Sequence, residues 1–393
     1  MGVIKKVFRF IGYSMEAIKY IVLYPIAMIA YGQRNIYIVA ERGTDARDNG
    51  YYMFRFLCQK HPELEVYYII SKSSADREKL LDLGNVVHHG SLKHYLLFIA
   101  AQYKISTHIM GFSPNIGFYS KFADKLHVKG YRVFLQHGII PNDLPGLYAE
   151  KTNLQLFVCG AKPEYDYVRS TFGYQNGEVK YTGLARYDGL HDLELKNQIL
   201  CMPTWRSYLK FGSKVGVAES EYVKRWNRLI NHPRIISALK ERNVKLVFYP
   251  HYEMQPYISS FQAQSEQVII ADFDHYDVQT LLKESRLLIT DYSSVFFDFA
   301  YMKKPCVYYQ FDQEKFFKWH YQKGYFDYEL AGFGEVVKGE EDAVDAILSY
   351  IENHFAMKSE YRVRTESFFP LHDMQNCQRI YEEIQKLSFK FQR

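Results

Sequence analysis

Residues 286–312 show the pattern that most narrows the folds open to this chain. An apolar run at 286–289 is typical of a buried strand, and a polar turn rich in hydroxyl groups follows it. Residues 295–302 then place apolar side chains on one helical face, and a Lys-Lys-Pro sequence ends that helix with positive charge and a helix breaker. A second apolar run occupies 306–311. This order predicts a strand–turn–helix–strand unit, the repeating element of a parallel sheet.

The same alternation of short apolar runs and amphipathic stretches extends over the chain from residue 35. The predicted strands are 35–40, 65–71, 85–88, 104–108, 132–135 and 154–159, followed by 198–202, 244–249, 267–271, 287–290 and 306–309. The predicted helices are 48–60, 92–102, 164–172, 219–230, 233–242, 278–284 and 295–302. Such alternation indicates parallel sheets covered by helices on both faces. The pattern loosens at 181–196, which we interpret as a linker, so we expect an N-terminal segment at 1–33 and two domains at 34–190 and 191–393.

The N-terminal segment mixes apolar residues with charge. Its charged side chains are Lys5, Lys6, Arg9, Glu16 and Lys19. The uncharged run at 20–31 contains a proline and is shorter than the ~20 residues that cross a bilayer. We predict an amphipathic helix on the inner surface of the membrane. The alternatives are a signal peptide, whose apolar region Glu16 and Lys19 would interrupt, and a helix that packs on the protein's own core.

Composition narrows the class of protein further. With 48% hydrophobic and 24% charged residues, the 393-residue chain is globular and long enough for two domains. A net charge of +5 suits anionic substrates or lipids, and neither this mild excess nor any motif argues for nucleic acid binding. The five cysteines are scattered without a C-x-x-C pair, which favours a reducing cytoplasm over a disulfide framework. No spacing of Cys and His suits a structural metal.

Polar residues follow several predicted strands at the point where each strand ends. They are His137, Arg206, His251 and the turn 291–294. Ligands of parallel sheets bind beyond the carboxyl ends of the strands, so we expect these residues to face one cleft. The hydroxyl-rich turn precedes a helix, whose N-terminus suits a phosphate group. The alternatives are an ordinary helix cap for the turn, a structural hydrogen bond for His137 and a surface ion pair for Arg206.

Four elements of the chain resemble the CDP-glycerol glycerophosphotransferases, which assemble teichoic acids and capsules. They are Gln136-His137-Gly138, Pro203-Thr204-Trp205-Arg206, Pro250-His251 and the Thr-Asp-Tyr-Ser-Ser-Val-x-x-Asp sequence that ends at Asp298. They occur in the family's order, and the resemblance extends from about Glu41 to the end of the chain. It implies a GT-B-like fold, in which two Rossmann-type, doubly wound domains face a cleft.

The resemblance also implies roles for individual residues. His137 would be the general base that takes a proton from the acceptor hydroxyl. Arg206 would clamp the diphosphate, and His251 would lie near it. Ser293 and Ser294 would hold the β-phosphate. Further substrate-binding candidates are Gly138, Thr204, Asp291, Asp298, Asp48 and Asn49.

Four of these candidates have a simpler structural alternative. Asp291 is better suited to bracing its turn than to touching an anion, and Asp298 is either a ribose ligand or a partner within its own helix. Asp48 and Asn49 resemble an acceptor-side loop of the family, while a helix N-cap is the simpler role for Asp48.

The chain departs from the family pattern at two places. The family often has a lysine shortly after the glycine of the His-Gly element, whereas residues 139–143 here are Ile-Ile-Pro-Asn-Asp. Around His251, Tyr249 replaces the usual basic residue and Tyr252 replaces the usual proline. The first departure leaves the contacts to the acceptor open, whereas His251 is still expected to contact the phosphate.

The implied reaction is a phosphoryl transfer at the cytoplasmic face of the membrane. The donor would be CDP-glycerol or CDP-ribitol, the acceptor a lipid-linked saccharide or a polyol-phosphate chain, and the leaving group CMP. No Asp-x-Asp metal motif is present, which leaves a requirement for Mg²⁺ open. The length of the chain slightly favours addition of a single unit. The alternatives are a UDP-sugar transferase or epimerase of the same architecture, a non-catalytic membrane scaffold, and motifs that serve only capping and packing.

Overall fold

The computed structural model describes residues 2–126, 128–209, 214–320 and 322–390. The side chains of Lys5, Lys6 and Arg9, which the sequence analysis named as the basic start of the chain, lie outside the described residues. Within the described ranges, a long N-terminal helix precedes two parallel sheets, each covered by helices. The expectation of two α/β domains is confirmed.

The first sheet has seven parallel strands in the order β3-β2-β1-β4-β5-β6-β7. Its strands are β1 Ile36–Ala40, β2 Glu65–Ile70, β3 Asn85–His88, β4 Tyr103–Ser106, β5 Tyr131–Phe134, β6 Leu156–Cys159 and β7 Val179–Tyr181. The helices up to this point are α1 Gly2–Tyr31, α2 Asn49–Lys60, α3 Glu78–Leu81, α4 Leu92–Ala100, α5 Ile116–Phe122, α6 Ala149–Thr152 and α7 Lys162–Thr171.

The second sheet has six parallel strands in the order β10-β9-β8-β11-β12-β13. Its strands are β8 Gln198–Cys201, β9 Lys245–Phe248, β10 Val268–Ile270, β11 Leu287–Thr290, β12 Cys306–Tyr309 and β13 Gly334–Val337. The helices are α8 Lys214–Ala218, α9 Glu221–Ile230, α10 Pro233–Glu241, α11 Val278–Glu284, α12 Val295–Tyr301, α13 Gln313–Trp319, α14 Tyr328–Ala331, α15 Glu340–Glu352, α16 Ser359–Phe368 and α17 Asn376–Lys390.

Burial explains why short apolar runs sufficed to predict most strands. The central strands β1, β4, β8, β11 and β12 are buried at every position, as expected when helices cover both faces of a parallel sheet. All predicted strands and helices are present, with ends within two residues of the prediction. Strands β7 and β13 were not predicted, because they lie at sheet edges, are partly exposed and carry few apolar residues. Residue 181, assigned to the linker, is the last residue of β7.

The strand order reverses once in each sheet. The chain enters each sheet in the middle, so β1 lies between β2 and β4, and β8 lies between β9 and β11. The loops that leave the two central strands at such a point diverge to opposite sides and open a crevice at the carboxyl edge. The predicted site residues follow strands close to these two crevices.

The last helix, α17, contacts the first domain, although it lies in the segment 191–393 expected to form the second. Although it comes at the end of the chain, it returns to the first domain, where Gln385 donates a hydrogen bond to the hydroxyl of Tyr37 at 2.8 Å. Lys180 of β7 pairs with Glu383 at 2.9 Å. The second domain is thus not the continuous segment 191–393, and the chain crosses between the domains twice.

Helix α1 packs on the first domain and exposes a second apolar face. Tyr20, Leu23 and Ala27 are buried against α4 and α5, and the ring of Tyr20 stacks on Phe118. Glu16, one of the two charges that would interrupt the apolar region of a signal peptide, is buried and accepts a hydrogen bond from the hydroxyl of Tyr95. The exposed large apolar side chains are Phe8, Phe10, Ile11, Met15, Ile18, Ile21, Val22, Tyr24, Ile26 and Ile29. None of the helices among the described residues has the length and apolar character of a membrane span.

Candidate active site

A cavity of about 430 Å³ lies between the carboxyl edges of the two sheets. Six residues predicted from the sequence line it: His137, Gly138, Thr204, His251, Ser293 and Ser294. The wall beside His137 is apolar and is formed by Ile109, Phe134, Ile140, Pro141, Leu144 and Leu147. The structure thus brings together strand ends from both domains, as the parallel-sheet rule requires.

His137 is oriented by a carboxylate from the neighbouring crossover. It follows β5, and Gln136 before it adopts a left-handed backbone conformation with φ of 61°. The side chain of Gln136 donates to the carbonyl of Val158 at 2.6 Å, which holds the turn in place. Nδ1 of His137 lies 2.5 Å from Oδ2 of Asp48, and more than half of the imidazole is exposed. With Nδ1–H directed to the carboxylate, Nε2 is left as the proton acceptor.

Asp48 serves two functions at the start of α2. As predicted, it is the N-cap residue, because its carboxylate accepts the N–H of Asn49 at 2.7 Å. Its contact with His137 was not predicted. Burial alone would raise the pKa of Asp48, but the charges of Arg186 and His137 outweigh burial and hold this pKa well below its ordinary value. The carboxylate therefore stays ionised and can stabilise a protonated imidazole.

Glu41 fixes the loop that carries Asp48. Its buried carboxylate accepts the backbone N–H groups of Arg47, Asp48 and Tyr51 at 2.9–3.0 Å. Asn49 ties the start of α2 to the turn that precedes His137, since its amide donates to the carbonyl of Gln136 at 2.9 Å. Asn49 is buried and forms no part of the cavity wall, so the structure assigns it a bracing contact.

Arg186 connects the two domains directly behind His137, and the sequence analysis missed it. The buried guanidinium donates to Oδ1 of Asp48 at 2.7 Å and to the carbonyl of His137 at 2.9 Å. Its other edge forms a bidentate pair with Asp298 of α12, at 2.6 and 2.8 Å. Arg186 lies in the stretch interpreted as a linker, where neither periodicity nor a motif marks it.

The structure resolves the alternatives stated for Asp298. This residue is almost fully buried, and both of its carboxylate oxygens bind Arg186, which belongs to the other domain. It is neither a ribose ligand nor a partner within its own helix. The side chain of Asp298 instead joins α12, next to the serine turn, to the His137–Asp48 pair.

The prediction that Arg206 clamps the diphosphate is corrected. Arg206 is fully buried, and its guanidinium pairs with Asp291 at 2.8 Å and with Asp312 at 2.7 and 2.9 Å. These two carboxylates balance its charge, and Arg206 is not among the residues that line the cavity. Asp291 braces its turn as expected, because its Oδ1 accepts the N–H groups of Thr204 and Tyr292 at 2.7 and 2.6 Å.

His251 faces the cavity from the second domain. Its Nδ1 accepts the N–H of Glu253 at 3.2 Å, and its ring stacks on Trp205. Burial, supported by the positive charge of Arg42 and by His137, lowers the pKa of His251 to about 4. At neutral pH the ring is uncharged, and with Nδ1 occupied as an acceptor its hydrogen is on Nε2. His251 can therefore donate one hydrogen bond into the cavity.

The serine turn and Gly138 meet where the two domains approach each other. Ser294 precedes α12, and its side chain forms no capping hydrogen bond there, so the ordinary cap explanation does not apply to it. A Cβ atom on Gly138 would lie 3.4 Å from Oγ of Ser294 and 3.5 Å from Nη2 of Arg186. A Cβ atom at these distances would make ordinary van der Waals contacts, so the approach of the His137 loop to the serine turn does not depend on glycine.

Two further residues beside His137 were not predicted from the sequence. His108, after β4, lines the cavity with its ring centre 5.1 Å from that of His137. Burial, with His137 and Arg42, lowers the pKa of His108 to about 3. Arg42, after β1, donates from Nε to Nε2 of His108 at 3.1 Å. A strand-end position is the one sequence signal that could have identified either residue.

Three carboxylates near the cavity form ion pairs with arginines. Asp48 and Asp298 pair with Arg186, and Asp291 pairs with Arg206. Across the described ranges, no three His, Cys, Asp or Glu side chains are grouped as metal ligands. The requirement for Mg²⁺ is thus a question for the reaction assay.

Comparison with known proteins identifies the family. Residues 23–386 match the model of the CDP-glycerol:poly(glycerophosphate) glycerophosphotransferases. The chain is 34% identical over 370 residues to the minor teichoic acid biosynthesis protein GgaB of Bacillus subtilis (strain 168), a match that covers 91% of this chain and 40% of GgaB. It is 32% identical over 203 residues to a teichoic acid poly(glycerol phosphate) polymerase of Bacillus spizizenii, with 46% of each protein covered. The chain thus spans less than half the length of these relatives.

Solved structures share the arrangement of the two domains. The wall teichoic acid polymerase TagF superimposes with a TM-score of 0.67 at 16% identity, over 98% of both chains. A UDP-GlcNAc 2-epimerase from Neisseria meningitidis superimposes with a TM-score of 0.54 at 12% identity, over 90% of this chain and all of the other. At such identities the likeness establishes the fold alone. The chain has a GT-B-like fold and, by its match over residues 23–386, belongs to the CDP-glycerol:poly(glycerophosphate) glycerophosphotransferase family.

Proposed function

We propose that this chain transfers glycerol phosphate from CDP-glycerol to a hydroxyl group of a lipid-linked saccharide or polyol-phosphate acceptor and releases CMP. The observation that carries the proposal is the pair formed by His137 and Asp48, which faces Ser293 and Ser294 across one cavity. A proton acceptor and a hydroxyl-rich phosphate site are the two parts that such a transfer needs. Membership of the family supports the donor.

The reaction begins when the acceptor hydroxyl donates its hydrogen bond to Nε2 of His137. Its oxygen attacks the β-phosphorus of the donor while Nε2 takes the proton, and Asp48 stabilises the resulting imidazolium. The bond between the β-phosphorus and the bridging oxygen breaks, and CMP leaves with its electron pair. A phosphodiester is formed.

The second domain stabilises charge on the phosphates. Ser293 and Ser294 lie at the N-terminus of α12, where hydroxyl and N–H groups are available to the β-phosphate. Neutral His251 donates from Nε2, and such a donor strengthens as negative charge moves onto the leaving CMP. Because Arg206 is committed to Asp291 and Asp312, it acts on the reaction only by bracing this turn.

The exposed apolar face of α1 supports action at the inner membrane surface. Ile18, Ile21 and Ile29 are 60–89% exposed on a helix whose opposite face is packed on the first domain. Apolar side chains in this arrangement can enter the boundary between lipid headgroups and acyl chains. A peripheral position at the cytoplasmic face would bring the cavity to a lipid-linked acceptor.

Release of CMP tests the transfer reaction. Purified protein is incubated with a lipid-linked acceptor analogue and with CDP-glycerol, CDP-ribitol or UDP-GlcNAc, with and without Mg²⁺. We expect release from CDP-glycerol and a fall of about 10²–10⁴-fold in His137→Ala. His275→Ala is the matched control, because His275 also contacts an aspartate, Asp272 at 2.8 Å, but does not line the cavity.

The outcomes separate the alternatives. Turnover of CDP-ribitol or UDP-GlcNAc in place of CDP-glycerol would overturn the donor and retain the fold. Inactivity with all three donors would favour a scaffold. An unchanged rate in His137→Ala would exclude His137 as the base.

Flotation with vesicles that contain anionic lipid tests the membrane surface. The double substitution Ile18→Asp and Ile21→Asp should abolish flotation, because it places two charges on the exposed face of α1. Leu330→Asp is the control, since Leu330 is 78% exposed but lies on α14 of the second domain. Equal flotation of wild type and the α1 variant would contradict the assignment.

A further inference from the structure

Arg42, Arg186 and Arg206 contact residues that line the cavity without lining it themselves, and they differ in how their charge is balanced. Arg186 and Arg206 are buried, and each pairs with two carboxylates at 2.6–2.9 Å. Arg42 is different, because its side chain is 46% exposed and its ion pair with Asp45 is 3.8 Å long. At this distance and exposure the pair neutralises little of the charge. Arg42 thus retains a positive charge that can bind an anion.

The guanidinium of Arg42 is held at the reacting nitrogen. Its Nη2 lies 3.5 Å from Nε2 of His137, the atom assigned as proton acceptor. Its Nε donates to Nε2 of His108 at 3.1 Å, and Nδ1 of His108 contacts the hydroxyl of Thr107 at 3.0 Å. Because His108 is uncharged, this contact positions Arg42 without consuming its charge.

The backbone around Arg42 is also fixed. Gly43 has φ of 85°, and a Cβ atom there would meet the ring of His89 at 2.6 Å. The N–H of Arg42 donates to Oδ1 of Asp45 at 3.2 Å. The loop therefore presents Arg42 from a defined position, as a binding residue requires.

We propose that Arg42 binds a phosphate group at the reaction centre, the role that the sequence had assigned to Arg206. A guanidinium can bind two phosphate oxygens at once. The phosphate belongs either to the donor diphosphate or to the acceptor, next to the attacking hydroxyl. Contact with a phosphate also draws Nη2 away from His137 and leaves Nε2 free for the hydroxyl. This inference rests on the proposed function, whose substrates supply both phosphates.

Substitution of Arg42 tests the proposal in the full chain. Arg42→Gln removes the charge. Arg42→Lys keeps the charge but loses the paired N–H donors of the guanidinium, and Arg234→Gln is the control. Arg234 is 52% exposed and pairs with two carboxylates on the surface of the second domain. Circular dichroism confirms that each variant is folded. CMP release is then measured with CDP-glycerol varied at saturating acceptor, and with the acceptor varied at saturating donor.

Two acceptors distinguish the sources of the phosphate. One carries a phosphate beside its terminal hydroxyl, and the other is an uncharged glycoside. If the donor is the ligand, Arg42→Gln raises the KM of CDP-glycerol by about 10–100-fold, the loss expected for a hydrogen bond to a charged group. If the acceptor is the ligand, the KM of the phosphorylated acceptor rises by this factor and that of the glycoside does not change. Arg42→Lys should recover part of the loss in either case.

Binding measurements keep this test separate from the proposed function. Equilibrium dialysis with CDP-glycerol and with glycerol 3-phosphate compares the Kd of wild type and Arg42→Gln without any turnover. Weaker binding of either probe by the variant supports the proposal even if no CMP is released. Unchanged Kd and KM values for both substrates would overturn it, including when kcat alone falls, because Arg42 would then act only on His137.

Discussion

The ion pair of Arg186 with Asp298 offers a quantitative test of how the two domains are joined. The two charged groups come from different sheets, form a bidentate pair at 2.6 and 2.8 Å, and have side chains that are 9% and 4% exposed. Asp298→Asn removes the negative charge and turns an NH₂ group toward the N–H groups of the guanidinium. Arg186 then retains Asp48 as its one remaining carboxylate at 2.7 Å.

The expected loss follows from the burial of the pair. Removing one partner of a buried ion pair costs ~3–5 kcal/mol, because the other charge stays buried without compensation. Asp345→Asn is the matched control. Asp345 pairs with Arg234 at 2.7 Å, but both side chains are more than half exposed, and such a pair contributes about 0–1 kcal/mol. The two substitutions change the same atoms and differ in burial.

Urea unfolding measures both the loss and its location. All three tryptophans, Trp205, Trp226 and Trp319, lie in the second domain, so their fluorescence reports on that domain, whereas circular dichroism reports on both. We expect coincident transitions in wild type and Asp345→Asn, and separate transitions in Asp298→Asn because the domains are uncoupled. If the free energy of unfolding of Asp298→Asn lies within about 0.5 kcal/mol of the wild-type value and the two transitions coincide, the ion pair is not desolvated. The assignment of Arg186 and Asp298 as a buried link between the domains is then wrong.

Three further predictions concern the cavity. Asp48→Asn should lower kcat for CMP release by about 10²–10⁴-fold with little change in the KM of CDP-glycerol. The reason is that the substitution removes both the group that orients His137 and the charge that stabilises its imidazolium. A rise in KM by the same factor would contradict this. Because the pKa of His251 is lowered to about 4, the unfolded chain binds a proton between pH 6.5 and 4 that the folded chain does not. As the pH is lowered through this window, the free energy of unfolding should therefore decrease by up to about 1.4 kcal/mol per pH unit. Urea titrations at pH 7 and pH 5 should show a smaller decrease in His251→Gln than in wild type. Glu164→Gln should lower the free energy of unfolding in urea by about 1–3 kcal/mol. The buried carboxylate accepts the N–H of Ile140 with one oxygen and the N–H of Gly160 with the other, each at 2.7 Å, and an amide cannot accept both. A smaller loss would show that the loop can rearrange.

The fold could be predicted from the sequence because most of its strands are recognisable as short apolar runs. Runs such as Leu287–Thr290 are apolar at nearly every position, and the polar residues that follow them mark the carboxyl edge of the sheet. The resemblance to the family singled out His137, His251 and the serine turn, and the strand-end rule placed them at the cleft. Prediction from apolar runs failed for β7 and β13, where partial exposure removes the apolar signal.

The partners of the charged residues could not be predicted in the same way. Arg186 and Arg206 both follow or flank a strand, and no local pattern separates a buried brace from a phosphate ligand. Their carboxylate partners lie far away in sequence, since Arg186 is 138 residues from Asp48 and 112 from Asp298. Only the folded structure shows which charges are already satisfied, and on that basis we propose Arg42 rather than Arg206 as a phosphate ligand.

In the proposed reaction neither domain holds a complete site, and this division would explain the position of Arg186. The first domain supplies His137 and Asp48, whereas the second supplies His251 and the serine turn. The distance between base and phosphate is therefore set by the relative orientation of the domains, to which a general base is sensitive at the level of a single hydrogen bond. Arg186 bonds to Asp48 and to the carbonyl of His137 on one side and to α12 on the other, so it fixes this distance at the point where the chemistry requires it. A buried charge is costly to place at a domain boundary, and here it joins the His137–Asp48 pair to the helix that follows the serine turn.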